Sequence, residues 1–215
     1  MLRKCFLQQW RVLEASNLDC LRGGRTLFRG LSFHLKAGEL LRIAGENGSG
    51  KTSLLKILCG LLLPESGEVR WQGTPIRASR EDYSRQLVYL GHAPAVKDDL
   101  TAAENLAIAC TLAGHRASPE QAEQALESYG LTAHAVPVRR LSQGQRRRAA
   151  LARLLLSAHA PLWLLDEPFA ALDAAAVRFT EALIASHVAR GGAVVYTTHQ
   201  EANIGAAVLR VLELG

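Results

Sequence analysis

The sequence predicts an α/β fold with an inserted helical segment, and three observations lead to this prediction. Short apolar runs of strand composition alternate with helical patterns at both ends of the chain, as in folds built around a parallel sheet. Residues 95–158, between them, carry mainly helical signals. With 215 residues and no internal repeat or linker, the chain can bury roughly 70% of its unfolded surface in one core.

The first half of the chain supplies predicted strands. Residues 39–44 are predicted as a strand, which a glycine-rich turn joins to a helix over about residues 50–59. Residues 67–73 are predicted as a short strand between two turns, and residues 87–90 as another strand. The first helix therefore lies between strands, as a crossover connection does.

The middle of the chain is predicted to be helical. Thr101 and Glu104 have the spacing of a capping box and open a helix. Ser118 followed by Pro119 is a favourable N-cap and first position for a second helix. A third helix is predicted over about residues 142–157. Together these helices form the insertion.

The last part of the chain returns to alternating strands and helices. Residues 162–165 are predicted as a strand, and Asp173 as the cap of a helix that ends near residue 191. Residues 193–198 are β-rich and carry no charge, which is typical of a strand buried on both faces. Residues 208–212 are predicted as a last short strand.

Composition excludes several classes of protein. A hydrophobic content of 48% excludes a disordered chain. The longest charge-free stretch, residues 154–165, is shorter than the ~20 apolar residues that a membrane-spanning helix requires. The cysteines are scattered without a Cys-x-x-Cys pair, which favours inert thiols in a reducing compartment over a metal or redox site. They are Cys5, Cys20, Cys59 and Cys110.

The charge of the chain is weakly basic and uneven. The net charge is +5, and residues 139–153 contain six arginines and no acid. One interpretation is a solvated helix face. The others are contact with an anionic membrane surface, a partner protein or nucleic acid.

A glycine-rich loop carries the first chemical motif. It matches G-x-x-x-x-G-K-[ST] and lies between a predicted strand and the start of a helix, where backbone N–H groups bind phosphate. Lys51 is expected to reach the β- and γ-phosphates of a nucleotide, and the Thr52 hydroxyl to bind Mg²⁺. The predicted nucleotide-binding residues here are Gly45, Glu46, Asn47, Gly48, Ser49, Gly50, Lys51, Thr52 and Ser53.

Two acids end the predicted strand at residues 162–165. Because ligands bind at the carboxyl edge of open α/β sheets, Asp166 and Glu167 are expected at the same edge as the glycine-rich loop. Asp166 is predicted to hold the Mg²⁺ shell. Glu167 is predicted as the general base that orients the attacking water.

A third motif, Leu-Ser-Gln-Gly-Gln at residues 141–145, opens the arginine-rich helix. With the first two motifs, it makes the chain resemble the ATP-binding subunits of ABC transporters over about residues 13–215. The resemblance implies a P-loop NTPase cassette with a mixed sheet core, an inserted helical subdomain and an N-terminal antiparallel β region. It also implies that Ser142, Gly144 and Gln145 of the signature contact the nucleotide; a hydroxyl and N–H groups at a helix N-terminus suit a γ-phosphate.

Two further positions fit the resemblance. Asp173, after Ala171 and Leu172, resembles the family's D-loop, and His199 resembles its switch histidine, which senses the γ-phosphate. In this family, ATP with Mg²⁺ lies between the P-loop of one subunit and the signature of another. The resemblance therefore implies a homodimer of cassettes when ATP is bound, an ATPase activity, and Glu167 with His199 as catalytic residues.

Two departures distinguish this chain within the family. His92 occupies the place of the usual glutamine near Mg²⁺, where an imidazole has a different geometry from an amide. We predict that His92 contacts the nucleotide site; the alternative is an ordinary loop residue. At residues 21–22, where the family places an aromatic side chain against adenine, this chain has Leu21 and Arg22.

Residues 27–33, 67–73, 91–94 and 197–200 are similar to one subfamily, the ATP-binding subunits of bacterial cytochrome c maturation systems, the haem exporter type. The similarity implies an ABC-type haem translocase, peripheral on the cytoplasmic face of the bacterial inner membrane, with integral membrane partners of the CcmB and CcmC type. No nucleic acid partner is expected. The alternatives are an ATPase subunit exporting or importing another small molecule, and a soluble ABC ATPase without a transport role.

We predict one domain over residues 1–215. Its α/β core comprises about residues 1–94 and 159–215, and its helical subdomain about residues 95–158. Residues 12–15 resemble the usual start of the subfamily, so residues 1–11 are interpreted as a non-native start extension.

Overall fold

The chain folds into two sheets and a group of helices. A computed structural model describes residues 11–132, 135–200, 202–205 and 209–215. The hypothesis of a start extension therefore falls outside the described residues, except at Arg11. In chain order the elements are β1 (Arg11–Arg22), β2 (Arg25–Lys36), β3 (Leu40–Gly45), α1 (Lys51–Leu58), β4 (Ser66–Trp71), β5 (Thr74–Pro75), α2 (Arg80–Arg85), β6 (Leu87–Leu90), α3 (Ala102–Leu112), α4 (Pro119–Ser128), α5 (Gln143–Leu156), β7 (Leu162–Asp166), α6 (Ala174–Ala189), β8 (Ala193–Thr197) and β9 (Leu209–Leu214).

The strands form two sheets of different type. The first is antiparallel and has the order β2-β1-β4-β5. The second has the order β6-β7-β8-β3-β9, and every pairing that the structure describes within it is parallel. The parallel and antiparallel strands, which were expected to form a mixed sheet in the core, therefore lie in two separate sheets. The predicted α/β fold, with its N-terminal antiparallel region and its helical insertion, is confirmed.

The parallel sheet positions the predicted motifs. All residues of its central strands β7 and β8 are buried, as the charge-free run at residues 193–198 predicts. Parallel strands end at one edge, so the segments that follow β3, β6, β7 and β8 meet there. These segments contain the glycine-rich loop, His92, the acid pair and His199.

The helices α3, α4 and α5 pack beside this sheet and share one apolar core with one of its faces. All three begin with a capping box, at Thr101, Ser118 and Ser142. In each box the cap side chain accepts from the third backbone N–H of the helix, and the side chain there accepts from the cap N–H. The other face of the sheet packs with α1 and the antiparallel sheet around Leu13, Leu54 and Ile43.

The described ranges contain α-helices of 6 to 16 residues. None of them is long and apolar enough to cross a bilayer.

Candidate functional site

An open cleft of about 430 Å³ lies at the carboxyl edge of the parallel sheet. It brings together residues from five segments that are distant in sequence. The lining residues are Leu27, Asn47, Gly48, Gly50, Lys51, Thr52, Ser53, His92, Asp166, Glu167 and His199. The predicted P-loop, the acid pair and both candidate histidines therefore share one site.

The glycine-rich loop holds a buried cation at the start of α1. Lys51 is 8% exposed, and its Nζ donates to the carbonyl oxygens of Gly45 (2.7 Å) and Glu46 (2.9 Å). A Cβ on Gly45 would lie 2.3 Å from the carbonyl oxygen of Leu214, and Gly45 has a φ of 141°. Glycine is therefore required where the loop passes β9. The lysine has no acid partner at hydrogen-bond distance among the described residues, so its charge is available to an anion.

The N-terminus of α1 is prepared for an anion. Gly50, its N-cap, has a left-handed φ of 103°, and no side chain caps the helix. The first turn contains no acid. The N–H groups of that turn and the positive end of the helix dipole therefore point to the cleft without a competing carboxylate. The buried Ser49 Oγ also has no hydrogen-bond partner among the described residues.

Asp166 is fixed by two hydroxyl groups. Thr52 Oγ1 donates to Asp166 Oδ2 over 2.8 Å, and Thr197 Oγ1 donates to Oδ1 over 2.8 Å. Asp166 is 2% exposed. The role of Thr197 was not predicted; the signal in the sequence that could have indicated it is a hydroxyl at the end of a buried strand, which pairs with β7.

Glu167 has a constrained backbone and a free carboxylate oxygen. Its φ is 52°, a left-handed conformation that a non-glycine residue rarely adopts. Its N–H donates to Thr197 Oγ1 over 2.9 Å, and its Oε2 accepts from the His199 N–H over 3.3 Å. Its buried Oε1 has no hydrogen-bond partner in the described part of the chain and lies 3.6 Å from His199 Nε2.

His92 is exposed at the rim of the cleft. Its imidazole lines the cleft, while its carbonyl oxygen lies 3.4 Å from an arginine nitrogen of α5, Arg147 Nη1. The predicted adenine position at Leu21 and Arg22 is exposed at the end of β1 and does not line the cleft. Leu27 of β2 lines it instead.

The predicted signature residues lie outside this cleft. Ser142 Oγ accepts from the Gln145 N–H over 3.2 Å, and Gln145 Oε1 accepts from the Ser142 N–H over 2.8 Å. A Cβ on Gly144 would lie 2.7 Å from the carbonyl oxygen of Ala171, so the signature packs closely against the segment before α6. Within one chain, these groups stabilise the start of α5.

Asp173 also lies outside the cleft. Its Oδ1 accepts from the Ala176 N–H over 2.9 Å and caps α6, while its Oδ2 pairs with Arg148. The hydrogen bond from the Ala176 N–H, with the Arg148 charge, holds the pKa of the Asp173 carboxyl below its usual range. Its prediction as a nucleotide contact therefore finds no support within a single chain.

Four of the six arginines of residues 139–153 are engaged within the chain. The interpretation as a solvated face is wrong for Arg147, which is 3% exposed. Burial lowers the pKa of its guanidinium, and the charges of Asp166 and Glu167 oppose that shift. Three of the others form ion pairs, namely Arg139 with Asp99, Arg146 with Asp98 and Arg148 with Asp173.

Comparison with known proteins places these features in a family. The model of the ABC transporter family matches residues 28–170. The chain is 55% identical to "Cytochrome c biogenesis ATP-binding export protein CcmA" of Aromatoleum aromaticum, over 89% of this chain and 90% of the relative. It is 52% identical to the protein of that name from Dechloromonas aromatica, over 95% of this chain and all of the relative.

Solved structures give the same fold. A putative ABC transporter ATP-binding protein from Pyrococcus furiosus is 26% identical and superposes with a TM-score of 0.79, over 93% of this chain and 96% of the other. A dimeric ATP-binding cassette, described in a post-hydrolysis state with ADP and phosphate, is 24% identical with a TM-score of 0.77, over 87% of this chain and 88% of the other.

Proposed function

Because the chain belongs to the ABC transporter family of ATP-binding proteins, we propose that it is the ATP-hydrolysing subunit of a cytochrome c biogenesis exporter of the CcmA type. The observation that carries the proposal is the cleft in which Lys51, Asp166 and Glu167 meet. The identity of about half of all residues with proteins named CcmA supports the choice of exporter.

The phosphate chain of ATP binds along the glycine-rich loop. Lys51 Nζ exchanges its two carbonyl contacts for phosphate oxygens, and the uncapped N–H groups of α1 bind the same anion. The nearby Leu27 gives the cleft an apolar side for the rest of the nucleotide.

The donors of the cleft fit Mg²⁺. Thr52 Oγ1 and Asp166 Oδ2 are hard oxygen ligands, 2.8 Å apart, and Mg²⁺ is bound by one or two such groups together with substrate phosphates and water. Among the described residues there is no group of three or more His, Cys, Asp or Glu side chains that would hold a metal without substrate. When bound, Mg²⁺ neutralises charge on the phosphates.

Glu167 acts as the general base. Its Oε2 is engaged by the His199 N–H, so the buried Oε1 is the atom that accepts the proton of the attacking water. The backbone contact with Thr197 fixes the direction of the side chain. His199 Nε2, close to Oε1, stabilises the carboxylate and donates to the departing phosphate.

A second copy of the chain completes the site. Ser142, Gly144 and Gln145 lie outside the cleft of their own chain, yet they form a helix start that suits a γ-phosphate. A head-to-tail homodimer places this start over the P-loop of the partner. ATP then closes the pair through its γ-phosphate, and hydrolysis releases it.

The membrane partners are proposed to be integral subunits of the CcmB and CcmC type. The chain then acts at the cytoplasmic face of the bacterial inner membrane as a peripheral subunit, and the exported species is haem. Exposed Ile108 and Leu112 on α3 supply apolar surface for such a contact.

A pull-down from membranes tests this assignment. The tagged chain is isolated from gently solubilised membranes, and integral proteins are identified by mass spectrometry, with the tag alone as control. We expect CcmB- and CcmC-type proteins to be enriched. Capture of a permease of another class instead would favour the alternative of a transporter for another small molecule.

A further inference from the structure

The buried arginine of α5 links two parts of the cleft. Arg147 Nη1 donates to the carbonyl oxygen of Gly91 over 2.8 Å and lies 3.4 Å from that of His92. Its Nη2 donates to the carbonyl oxygens of Asp166 (2.7 Å) and Glu167 (2.6 Å). One guanidinium therefore binds the segments that follow β6 and β7.

Arg147 joins the segments after β6 and β7 at a point where the two strands no longer pair with each other. The pairing of β6 and β7 ends at Leu90 and Leu165, so the carbonyl groups of Gly91 and Asp166 lie beyond it. Buried carbonyl groups require donors, and the two terminal nitrogens of a planar guanidinium supply them in fixed directions. A lysine ammonium is a single point of charge and does not span both segments in the same way.

The strained backbone of Glu167 depends on these contacts. A left-handed non-glycine residue costs of order 1–3 kcal/mol and persists only where its surroundings over-determine it. In Glu167, Thr197 Oγ1 holds the N–H and Arg147 Nη2 holds the carbonyl oxygen. The direction of the carboxylate is therefore fixed from both sides of the residue.

We propose that Arg147 is a positioning residue for ATP hydrolysis: its forked contacts hold Glu167 and the His92 loop in register with α5. This inference rests on the proposed ATPase function. Because α5 begins at Ser142, movement of the helix on contact with a second subunit is transmitted to the backbone of the general base. No contact of Arg147 with the nucleotide is involved.

The experiment measures ATPase kinetics of Arg147→Gln and Arg147→Lys in the complex purified from membranes. Misplacement of a catalytic group by about 1 Å costs on the order of 10²-fold in rate, so we expect kcat to fall about 10–100-fold in both variants. KM for ATP should stay within about threefold, because the phosphate contacts of Lys51 are unchanged. Arg178→Gln, on the exposed face of α6, is the matched control and should keep wild-type kinetics.

The outcomes separate positioning from other roles. A wild-type kcat in Arg147→Lys would mean that the buried charge alone suffices and would overturn the proposal, as would a wild-type kcat in Arg147→Gln. A large rise in KM would also overturn it, since the nucleotide site itself would then be damaged. If Arg147→Gln does not fold, the lysine variant decides. Wild-type protein that is no more active than Glu167→Gln would refute the ATPase function itself, and this inference with it.

Discussion

The cleft at the end of the parallel sheet and the start of α5 both present groups suited to phosphate, but they differ in how those groups are engaged. In the cleft, Lys51 Nζ donates to two backbone carbonyl oxygens, and Glu167 Oε1 has no hydrogen-bond partner among the described residues. At the start of α5, Ser142 and Gln145 satisfy each other, and Gly144 packs against Ala171.

This difference indicates that the cleft and the signature contribute to the ATP site in different ways. The cleft is formed completely within one chain, because the parallel sheet brings four segments to one edge. The signature is a stable helix start whose site lies elsewhere, which we assign to the cleft of a second copy. Substitutions in the cleft should therefore alter nucleotide binding or catalysis directly in the chain that carries them. Substitutions at the signature should act only by weakening the association of two chains.

The largest effect is expected from Glu167→Gln, which keeps the shape of the side chain and removes its basicity. A general base contributes typically 10²–10⁴-fold, so we expect turnover to fall by at least about 10²-fold while ATP still binds. Phosphate release and nucleotide binding are measured in parallel, with Glu123→Gln on the exposed face of α4 as control. Undiminished hydrolysis would refute the assignment of the base.

Lys51→Ala should act on binding instead. Hydrogen bonds to a charged group contribute about 1.5–3 kcal/mol, so we expect the affinity for ATP to fall roughly 10–150-fold. Lys56→Ala, on the exposed side of the same helix, is the matched control in a calorimetric titration. Equal affinities of the two variants would remove Lys51 from the phosphate site.

The sequence predicted most of the cleft, because its residues lie in short contiguous motifs at strand ends. It did not predict the engagement of the arginines: Arg147 contacts carbonyl groups supplied by two distant segments, which no local pattern encodes. Thr197 was missed for the same reason, since its partners Asp166 and Glu167 are brought near by strand pairing. The alternating pattern did predict the parallel strands and the capped helices closely, but β1 and β2 were expected only through the family resemblance, as an antiparallel region.

Gly144→Ala tests the signature side of the comparison. The added methyl would meet the Ala171 carbonyl oxygen at 2.7 Å and force α5 away from the segment before α6. We expect ATP binding to single chains to be unchanged, whereas ATP-dependent dimerisation and turnover fall at least about tenfold, the equivalent of 1.4 kcal/mol. Light scattering with and without ATP in the Glu167→Gln background measures the first effect. A loss of nucleotide binding by single chains would contradict the division between the two regions.

Thr197→Val should reduce turnover about tenfold. Leaving one buried polar group without a partner costs about 1–3 kcal/mol, and here the Glu167 N–H loses its acceptor and Asp166 Oδ1 its donor. Thr180→Val removes another fully buried hydroxyl, on α6 and remote from the cleft. Both variants should lower the melting temperature, but only Thr197→Val should lower kcat. A similar kcat in both would mean that Thr197 serves stability alone.

The smallest effect is expected from His92→Gln, which introduces the glutamine that the family resemblance implies at this position. The His92 side chain is exposed, and the contact that ties its loop to α5 uses the backbone carbonyl, which any residue supplies. We therefore expect ATPase rates within about threefold of wild type and normal assembly with the membrane subunits. A larger loss in both measurements would show that the imidazole itself joins the cleft to its partners. His92 would then belong, with Lys51 and Glu167, to the side chains that a single chain leaves available for a ligand or a partner.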